Sequence, residues 1–355
     1  MVTKLTIRRF AKCLALTCGA AILASTVQAA QPLQPVPDEL RPQAATPDQT
    51  IIEVEPVTID DGRGLVATTL PTCDSWSPVW SVQTGVVVMR RDAGPSFDFS
   101  DGDPGINLGG MSFPYEAGPM INVTRHGVRG TGFDLQLQYY GVNSFDATSV
   151  GVGATALQTV PVLPVLSPNV TTTLRSRLDS TELNLRENTC SWMNAFLGFR
   201  WIELGETLTS EFQGSSFGSS SHSVNVNNHL YGMQVGVDGT IATMGRISIE
   251  GFAKLGIYYN DADQTTTVIN VDNTVPFIAA SGPQMATASE IGLMGVVRLS
   301  DSWSVRGGYQ ILWLDGVALP GDQLPATDLL NGVADLQTGN TALFHGFVAG
   351  IQYAW

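Results

Sequence analysis

The sequence of 355 residues has few charged residues and no long apolar segment beyond its N-terminus. Asp, Glu, Lys and Arg together make up 14% of it, against about 25% in soluble domains. Mean hydropathy is only +0.10, and the rest of the chain has no apolar run of the roughly 18 residues that suggest a spanning helix. The composition therefore argues against an ordinary soluble protein and excludes a helical membrane protein.

Basic residues and cysteines are also scarce. Lys and Arg number 18 against 32 Asp and Glu, and the formal net charge is −14. Nucleic acid is excluded as a partner, because phosphate binding needs clusters of Lys and Arg. Four cysteines are too few for a disulfide scaffold. Whether Cys73 and Cys190 form a disulfide is left open by the sequence.

The N-terminus has the pattern of a cleaved signal peptide. Four basic residues precede an apolar segment at 13–24, and small residues lead up to Ala29. We predict cleavage of residues 1–29, which changes the net charge from −14 to −18. Residues 30–79 are polar and rich in proline, so we expect a largely disordered periplasmic leader. The third predicted segment, 80–355, carries the fold.

From residue 80 onward, apolar and polar residues alternate with a period of two. Phe133, Leu135, Leu137 and Tyr139 alternate with polar residues, and similar segments recur to the C-terminus. The mature chain shows no comparable amphipathic helix. We predict ten strands, with eight or twelve as alternatives, at 80–90, 119–125, 131–141, 180–188, 193–205, 224–237, 245–259, 285–299, 302–315 and 341–355.

The connections between these strands alternate between long and short. Such an alternation is typical of a closed antiparallel transmembrane β-barrel, with long loops outside and short turns in the periplasm. A soluble β-sandwich also alternates, but strands of 13 to 15 residues are not expected in one. The predicted fold class is therefore all-β. Eight aromatic residues lie on the apolar phase, as the interfaces of a membrane favour: Trp201, Tyr231, Tyr259, Trp303, Tyr309, Trp313, Tyr353 and Trp355.

The C-terminal strand ends in alternating apolar residues and a terminal aromatic. This ending looks like the signal that outer-membrane barrel assembly machinery recognises. The residues of the predicted assembly signal are Phe347, Ile351, Tyr353 and Trp355. We therefore expect export to the outer membrane of a Gram-negative-type cell envelope, with lipid and this machinery as partners.

Four segments resemble beta-barrel porin family seven, a group of bacterial outer-membrane barrels. They are 196–204, 229–236, the segment from Gly308 through Trp313 into Pro320-Gly321-Asp322-Gln323, and 344–355. Together they cover about a third of the barrel in the expected order. The resemblance implies an integral outer-membrane barrel and supplies no catalytic motif.

The polar phase of the strands is predicted to line the lumen with nearly balanced charge. The candidate lumen residues are Asp134, Glu182, Arg186, Arg200, Glu250, Lys254, Glu290, Arg298 and Arg306. A barrel of about ten strands is only slightly wider than one that side chains fill, so we favour a largely plugged, salt-bridged interior over a narrow path for ions or small solutes. Nearly all of the net negative charge falls in the leader and the long loops.

The predicted function is a structural or narrow porin-like outer-membrane barrel with long acidic external loops. The alternative is a surface adhesin or receptor that acts through those loops. We predict no enzyme, no cofactor and no metal site. The weak enzymatic candidates are the pattern 214–218, which lies in a Ser-rich tract unlike a nucleophile elbow, and His222 with Asp261 or Asp263 near the outer rim.

Overall fold

The computed structural model describes residues 78–94, 106–128, 131–155, 166–190, 192–215, 218–269 and 277–355. The predicted signal peptide and the leader up to residue 77 lie outside the described residues. The three predicted segment boundaries therefore stay predictions.

Ten strands close into a single antiparallel barrel. They are β1 (Trp80–Arg91), β2 (Glu116–Arg125), β3 (Phe133–Thr155), β4 (Leu166–Cys190), β5 (Met193–Ser215), β6 (Gly218–Met244), β7 (Ile247–Ile269), β8 (Phe277–Arg298), β9 (Trp303–Val317) and β12 (Asn340–Ala354). Each strand pairs with the next in this order, and β12 pairs with both β9 and β1 to close the ring. Closure leaves the barrel without a free sheet edge in its membrane-spanning part, as a β-structure in lipid requires. The predicted fold class and strand number are confirmed.

The two ends of the barrel differ in the length of their connections. At the turn end, neighbouring strands join through short turns such as 245–246 and 299–302, and the barrel segment begins and ends there, with the N–H groups of Val79 and Trp80 both donating to the Trp355 carbonyl. At the opposite end, the loop end, three of the five connections are long, at 92–115, 156–165 and 318–339. Only residues 216–217 separate β5 from β6, and 270–276 separate β7 from β8, so the predicted alternation in length holds in part. Most predicted strand boundaries at the turn end agree with the structure to within two or three residues, but the turn predicted at 238–244 is strand up to Met244.

The predicted strands β3 to β8 are too short at the loop end: β3, β5 and β7 end later than predicted, and β4, β6 and β8 begin earlier. Strands β3 to β8 have 22 to 27 residues, although about 9–11 residues suffice to cross a bilayer. Much of the predicted loops 142–179, 206–223 and 260–284 is therefore strand. The sequence there is rich in Ser, Thr and Asn, which favour turns locally, but adjacent strands supply a continuous ladder of hydrogen bonds.

Two loop-end connections contain small elements. The connection from β9 to β12 contains α1 (Pro320–Ala326) and a hairpin of β10 (Thr327–Asp328) and β11 (Val333–Ala334). The connection from β1 to β2 contains a 3-10 turn at Leu108–Gly110. The sequence predicts no helix, so the seven-residue α1 is a point at which the structure differs from the prediction. No helix among the described residues combines the length and the apolar character needed to span a membrane.

An apolar belt surrounds the barrel between the turn end and an aromatic row. Trp201, Tyr231 and Tyr259 are register partners on β5, β6 and β7, and their side chains point outward, 37%, 43% and 52% exposed. From this row to the turn end, the outward positions of β5 to β8 carry no Asp, Glu, Lys or Arg, and β9 carries one outward charge, Asp315, two residues before its loop end at Val317. Trp303, Tyr353 and Trp355 form a second aromatic group at the turn end. A band of this kind matches the hydrocarbon layer of a membrane.

The polarity of both faces inverts at the upper aromatic row. On β5 below the row, Phe199 points outward and is 46% exposed, whereas Arg200 points inward and is buried. Above the row, Ile202 and Leu204 are fully buried inside the barrel, whereas Glu203 lies on the outer face. The part of the barrel beyond the row, which we call the extension, is thus built like a soluble protein, with an apolar core and a polar exterior.

Candidate functional site

The lumen contains three layers, and its middle layer consists of buried charged side chains. We call Glu182, Arg200, Lys254 and Glu290 the charge layer. Each of these side chains is at most 7% exposed. They come from β4, β5, β7 and β8. Glu182 and Arg200 are register partners on neighbouring strands, as are Lys254 and Glu290. The Lys254–Glu182 and Arg200–Glu290 contacts cross the lumen between strands that are not neighbours. Two acids and two bases make the layer formally neutral.

Glu182 accepts most of the hydrogen bonds on one side of the charge layer. Lys254 Nζ lies 2.8 and 3.1 Å from its two carboxylate oxygens. The side-chain amides of Gln234 and Asn184 donate to Glu182 Oε2 at 2.8 and 3.1 Å. A buried carboxylate is tolerated when its charge is paired and its lone pairs are occupied, and both conditions are met here.

Glu290 and Arg200 form the other side of the layer. Arg200 Nη2 lies 2.7 Å from Glu290 Oε2 and donates to the Tyr140 hydroxyl at 2.9 Å. Arg200 Nε donates to Ser180 at 3.0 Å. Lys254 Nζ also lies 3.7 Å from Glu290, so Lys254 links the two carboxylates. Together these contacts fill the cross-section of the lumen at this height.

A second buried ion pair lies on the loop-end side of the charge layer. Arg91 Nε and Nη2 donate to the two oxygens of Glu206 at 2.5 and 3.0 Å, and Ser176 donates to the same carboxylate at 2.9 Å. The Arg91 guanidinium also lies 5.1 Å from the centroid of the Phe113 ring. The sequence missed this pair because both charged residues fall in predicted loops. The alternation Ile202, Leu204 and Leu208 is the signal that would have extended β5 through Glu206.

The third layer, at the loop end, is apolar and closes the barrel. Two connecting segments enter the extension, and we call them the plug: residues 106–113 and 317–326. Ile106, Phe113, Val317 and Leu324 are at most 3% exposed. They pack in one buried cluster with inward side chains of the extension such as Leu204.

Inward asparagines hold the second plug segment by its backbone. Asn228 accepts a hydrogen bond from the Ala318 N–H at 2.7 Å and donates to the Ala318 carbonyl at 2.9 Å. Asn260 donates to the Gly316 carbonyl at 3.2 Å. These amides imitate a paired strand, so buried backbone groups of the plug are satisfied. The Pro-Gly-Asp-Gln motif of the family resemblance opens α1 and is therefore part of the plug.

Asp322 in the first turn of α1 is half-buried, and its Oδ2 has no hydrogen-bond partner in the described part of the chain. Burial raises the pKa of its carboxyl above the usual value, and the nearby Glu206 charge raises it further. A hydrogen bond with its own backbone acts in the opposite direction. The ionised form is thus disfavoured at this position.

The first layer, at the turn end, is a polar cavity of about 350 Å³. It extends from the turn residue Trp192 to Lys254 of the charge layer. Arg186 forms two hydrogen bonds with Asp238, at 3.2 and 2.5 Å. Arg306 pairs with Glu250, and these two side chains are 23% and 27% exposed, so solvent reaches them. We call this space the turn-end cavity.

Eight of the nine predicted lumen residues take part in ion pairs. Seven of them form the charge layer and the pairs of the turn-end cavity: Glu182, Arg186, Arg200, Glu250, Lys254, Glu290 and Arg306. Asp134 is the eighth, and it accepts from His126 at 2.8 Å near a turn. Arg298 is exposed at the end of β8. The sequence did not identify the partners Asp238, Gln234 and Tyr140.

The remaining predicted residues lie apart from the lumen. Phe347, Ile351, Tyr353 and Trp355 point outward on β12, between β1 and β9. His222 is buried inside the extension, whereas Asp261 and Asp263 occupy outward positions, so the structure does not bring His222 to either aspartate. Asp261 is instead the register partner of His229. Cys73 lies outside the described residues, so its pairing with Cys190 stays open.

The predicted acidic loops also require a correction. Several of the acidic residues assigned to them lie on the outer face of the extension, among them Asp146, which pairs with Arg175 at 2.8 Å. Within the described ranges, no group of three or more His, Cys, Asp or Glu side chains is placed to hold a metal ion.

Comparisons with known proteins connect the fold with outer-membrane barrels. No family model and no curated protein matches the chain, so the predicted membership of beta-barrel porin family seven is not confirmed. Among solved structures, the outer membrane protease OmpT from Escherichia coli is similar at 9% identity over 79% of this chain and 99% of that chain, with a TM-score of 0.46. The toluene transporter TodX from P. putida is similar at 8% identity over 79% and 91%, with a TM-score of 0.33. A FadL homologue from Pseudomonas aeruginosa is similar at 8% identity over 78% and 89%, with a TM-score of 0.23.

These similarities contradict the prediction that the chain is not an enzyme, because the similar structures include a protease. That prediction is withdrawn. At this identity and TM-score the similarity assigns no activity and no catalytic residue to this chain. The assignment of a β-barrel rests on the closed strand pairing of the chain itself.

Proposed function

We propose that the protein is an integral outer-membrane β-barrel with a narrow, porin-like lumen that is closed in the described state. The observation that carries the proposal is the charge layer, which fills the lumen between a solvated cavity and an apolar plug. The apolar belt and the two aromatic groups support a membrane location. In this proposal the barrel is structural at rest and conducts only when both closures are displaced.

The two closures resist ions for different physical reasons. The plug is apolar, and an ion that enters it loses hydration without gaining a partner. The charge layer is polar, but its ion pairs satisfy one another, and separating them leaves buried charges unpaired. We therefore expect the wild-type barrel to be electrically silent at neutral pH.

Conductance in planar bilayers tests this proposal. The wild type is expected to show no steady current. A variant in which residues 106–113 and 318–339 are each replaced by a short Gly-Ser linker, and in which all four charge-layer residues are replaced by Ala, is expected to conduct in small steps. Each change alone is expected to leave the lumen closed. The matched control is the plug deletion combined with Arg177→Ala and Glu203→Ala, a pair on the outer face of the extension.

Two outcomes would contradict the proposal. Steady current through the wild type would show that the lumen is open. If the combined variant carries no current although a heat-dependent gel shift shows that its barrel is folded, the lumen does not conduct ions even when both closures are removed.

We also propose that residues 1–29 direct export and that the strand ending in Trp355 is recognised by outer-membrane barrel assembly machinery. The outward row Phe347, Ile351, Tyr353 and Trp355 supports this, since it is an uninterrupted apolar face on the last strand. Truncation of Tyr353–Trp355 is expected to lower the yield of heat-modifiable barrel in cell envelopes. The control is the pair of substitutions Trp303→Ala and Val305→Ala on the neighbouring strand β9, at the register partners of Tyr353 and Ile351, which is expected to leave targeting intact.

A second candidate is a surface receptor or adhesin, and the extension favours it. Six strands continue beyond the upper aromatic row with a polar exterior and a packed interior. In β6 this adds about 13 residues, or roughly 40 Å measured along the strand. Binding of the wild type to envelope or host surfaces, lost when charged outer residues of the extension such as Glu203 and Asp261 are replaced, would favour this candidate over a channel.

A further inference from the structure

We propose that the turn-end cavity is a binding site for a neutral, hydroxyl-rich ligand of one or two sugar rings. Its volume of about 350 Å³ lies at the lower end of the roughly 300–1,000 Å³ of ligand pockets. Lys254 of the charge layer lines the inner end of the cavity, and the turn residue Trp192 lines the other end, from which we expect a ligand to enter. The inference concerns binding alone and does not depend on whether the barrel conducts.

The charges of the cavity wall are already paired with one another. Arg186 is matched by Asp238 through two hydrogen bonds. Arg306 is matched by Glu250 and also donates to Gln352 at 2.8 Å. A charged ligand has to break such a pair to be neutralised, and the displaced partner then loses its own counter-charge. A neutral ligand avoids that cost, so the wall selects against ions.

Side-chain amides supply the hydrogen bonds that a hydroxyl-rich ligand needs. The amides of Gln83, Gln138 and Asn188 line the cavity and form no side-chain hydrogen bond with the described part of the chain. Each amide offers both a donor and an acceptor. A hydroxyl group also donates and accepts, so it satisfies either end of an amide.

Aromatic rings supply flat apolar surface in the same space. Trp192, Phe196 and Phe252 line the cavity. A Cβ atom at Gly236 would collide with the Phe196 ring, and one at Gly292 would collide with Phe252. Glycine at these two positions therefore lets the rings lie close against the barrel wall. The negative face of an aromatic ring attracts C–H groups, which cover the faces of a sugar ring while its hydroxyl groups point outward.

The combination of paired charges, free amides and flat aromatic rings favours a saccharide over the other polar ligands of this size. A zwitterionic amino acid or a dipeptide carries two charges that the wall does not match. A purely apolar ligand leaves the amides without partners, which costs binding free energy. A neutral saccharide satisfies both kinds of surface.

The test uses the full-length barrel in detergent micelles and two neutral probes, maltose and chitobiose. Binding is followed by calorimetry and by the tryptophan fluorescence of the wild type. At least one disaccharide is expected to bind, and dialanine is expected not to bind. Gln83→Ala and Gln138→Ala are each expected to weaken binding about three- to tenfold, the loss that one hydrogen bond corresponds to. Trp192→Ala is expected to weaken it as well.

Matched controls separate the site from the fold. Gln284→Ala removes an exposed glutamine of β8 that pairs in register with Asn260 and does not line the cavity, and it is expected to leave binding unchanged. Every variant is first checked for the heat-dependent gel shift of a folded barrel, so a misfolded variant is not scored. The proposal is overturned if neither disaccharide binds to the folded wild type, if dialanine binds in preference to both, or if folded cavity variants bind as tightly as the wild type.

Discussion

At the scale of single residues, the charge layer has contacts that are costly to lose one at a time. Lys254 lies 2.8 Å from Glu182 and 3.7 Å from Glu290. Removing the charge of Glu182 leaves Lys254 buried with one distant counter-charge. Removing both charges leaves Arg200 and Glu290 paired at 2.7 Å. The net contribution of such a buried pair to the free energy of unfolding is therefore much smaller than the free energy lost when one partner is removed.

We accordingly expect Glu182→Gln to lower the free energy of unfolding by about 3–5 kcal/mol. The double variant Glu182→Gln with Lys254→Met is expected to lose clearly less, because no unpaired charge remains. Unfolding by urea in detergent or lipid, followed by tryptophan fluorescence, measures both. Glu203→Gln, which breaks a partly exposed pair with Arg177 on the outer face, serves as the control and is expected to cost about 1 kcal/mol or less. A double variant less stable than the single one would refute this account.

At the scale of elements, the plug depends on two buried asparagines and not on helix propensity. The seven residues of α1 are too few for a helix that is stable by itself. Asn228 is fully buried and is bonded to both backbone groups of Ala318. The position of the plug is therefore fixed by side chains of the barrel wall.

Asn228→Ala is expected to release the second plug segment while the barrel remains folded. The change leaves two buried backbone groups of Ala318 unpaired, at about 1–3 kcal/mol each. Hydrogen exchange at residues 316–326 is expected to accelerate by at least tenfold, with little change in β12. Asn225→Ala on the outer face of β6 is the control. Equal exchange in both variants would show that the plug does not need Asn228.

Asp322 is expected to make the stability of α1 in the plug depend on pH. Because burial raises the pKa of its carboxyl in the folded protein, the folded state binds this proton more tightly than the unfolded state, whose pKa is near the ordinary 3.8. Its favourable contribution is present below that ordinary pKa and is lost as the pH rises through the raised value. Asp322→Asn is therefore expected to stabilise the plug at pH 7 and to make no difference at pH 3.5. Hydrogen exchange of α1 at several pH values measures this, and a benefit that grows as the pH falls would contradict the sign.

At the scale of the whole molecule, the inversion of polarity at the upper aromatic row divides the barrel into two parts, one with an apolar outer surface and one with a polar outer surface. Outward residues are mainly apolar below the row and polar above it, while inward residues change in the opposite sense. One continuous strand can serve both parts because side chains alternate along it whatever their chemistry. The row Trp201, Tyr231 and Tyr259 therefore marks the proposed limit of the membrane.

This division predicts that an arginine introduced on the outer face of β5 destabilises the barrel below the aromatic row and has little effect above it. Leu197→Arg, within the apolar belt on β5, is expected to cost about 2–4 kcal/mol in a lipid bilayer. Thr207→Arg, at an outward position of the extension on the same strand, is expected to cost less than about 0.5 kcal/mol. Equilibrium unfolding from phospholipid vesicles measures both. Equal costs for the two would mean that the aromatic row does not limit a membrane.

The alternation of residues 133–139 and 193–201 was sufficient to predict strands and most of their turn-end boundaries, because the period of side chains along a strand is a local property. The segment 206–223 was predicted as a loop, since its Ser, Thr and Gly residues favour turns unless neighbouring strands pair with it. Lumen orientation of Glu182, Arg200, Lys254 and Glu290 also followed from the alternation. Their choice of partners did not.

The sequence by itself determined the class of fold, the outward apolar residues and the side of each strand that faces the lumen, and it predicted about ten strands with eight or twelve as alternatives. All of these depend on the chemistry of residues two positions apart. Only the tertiary structure decided that Glu182 meets Lys254, that Arg91 reaches Glu206 and that Asn228 holds Ala318, because strand register and the curvature of the closed wall bring together residues 72, 115 and 90 positions apart. Closure of the lumen belongs to this second group, since it depends on contacts across the barrel that no local pattern contains.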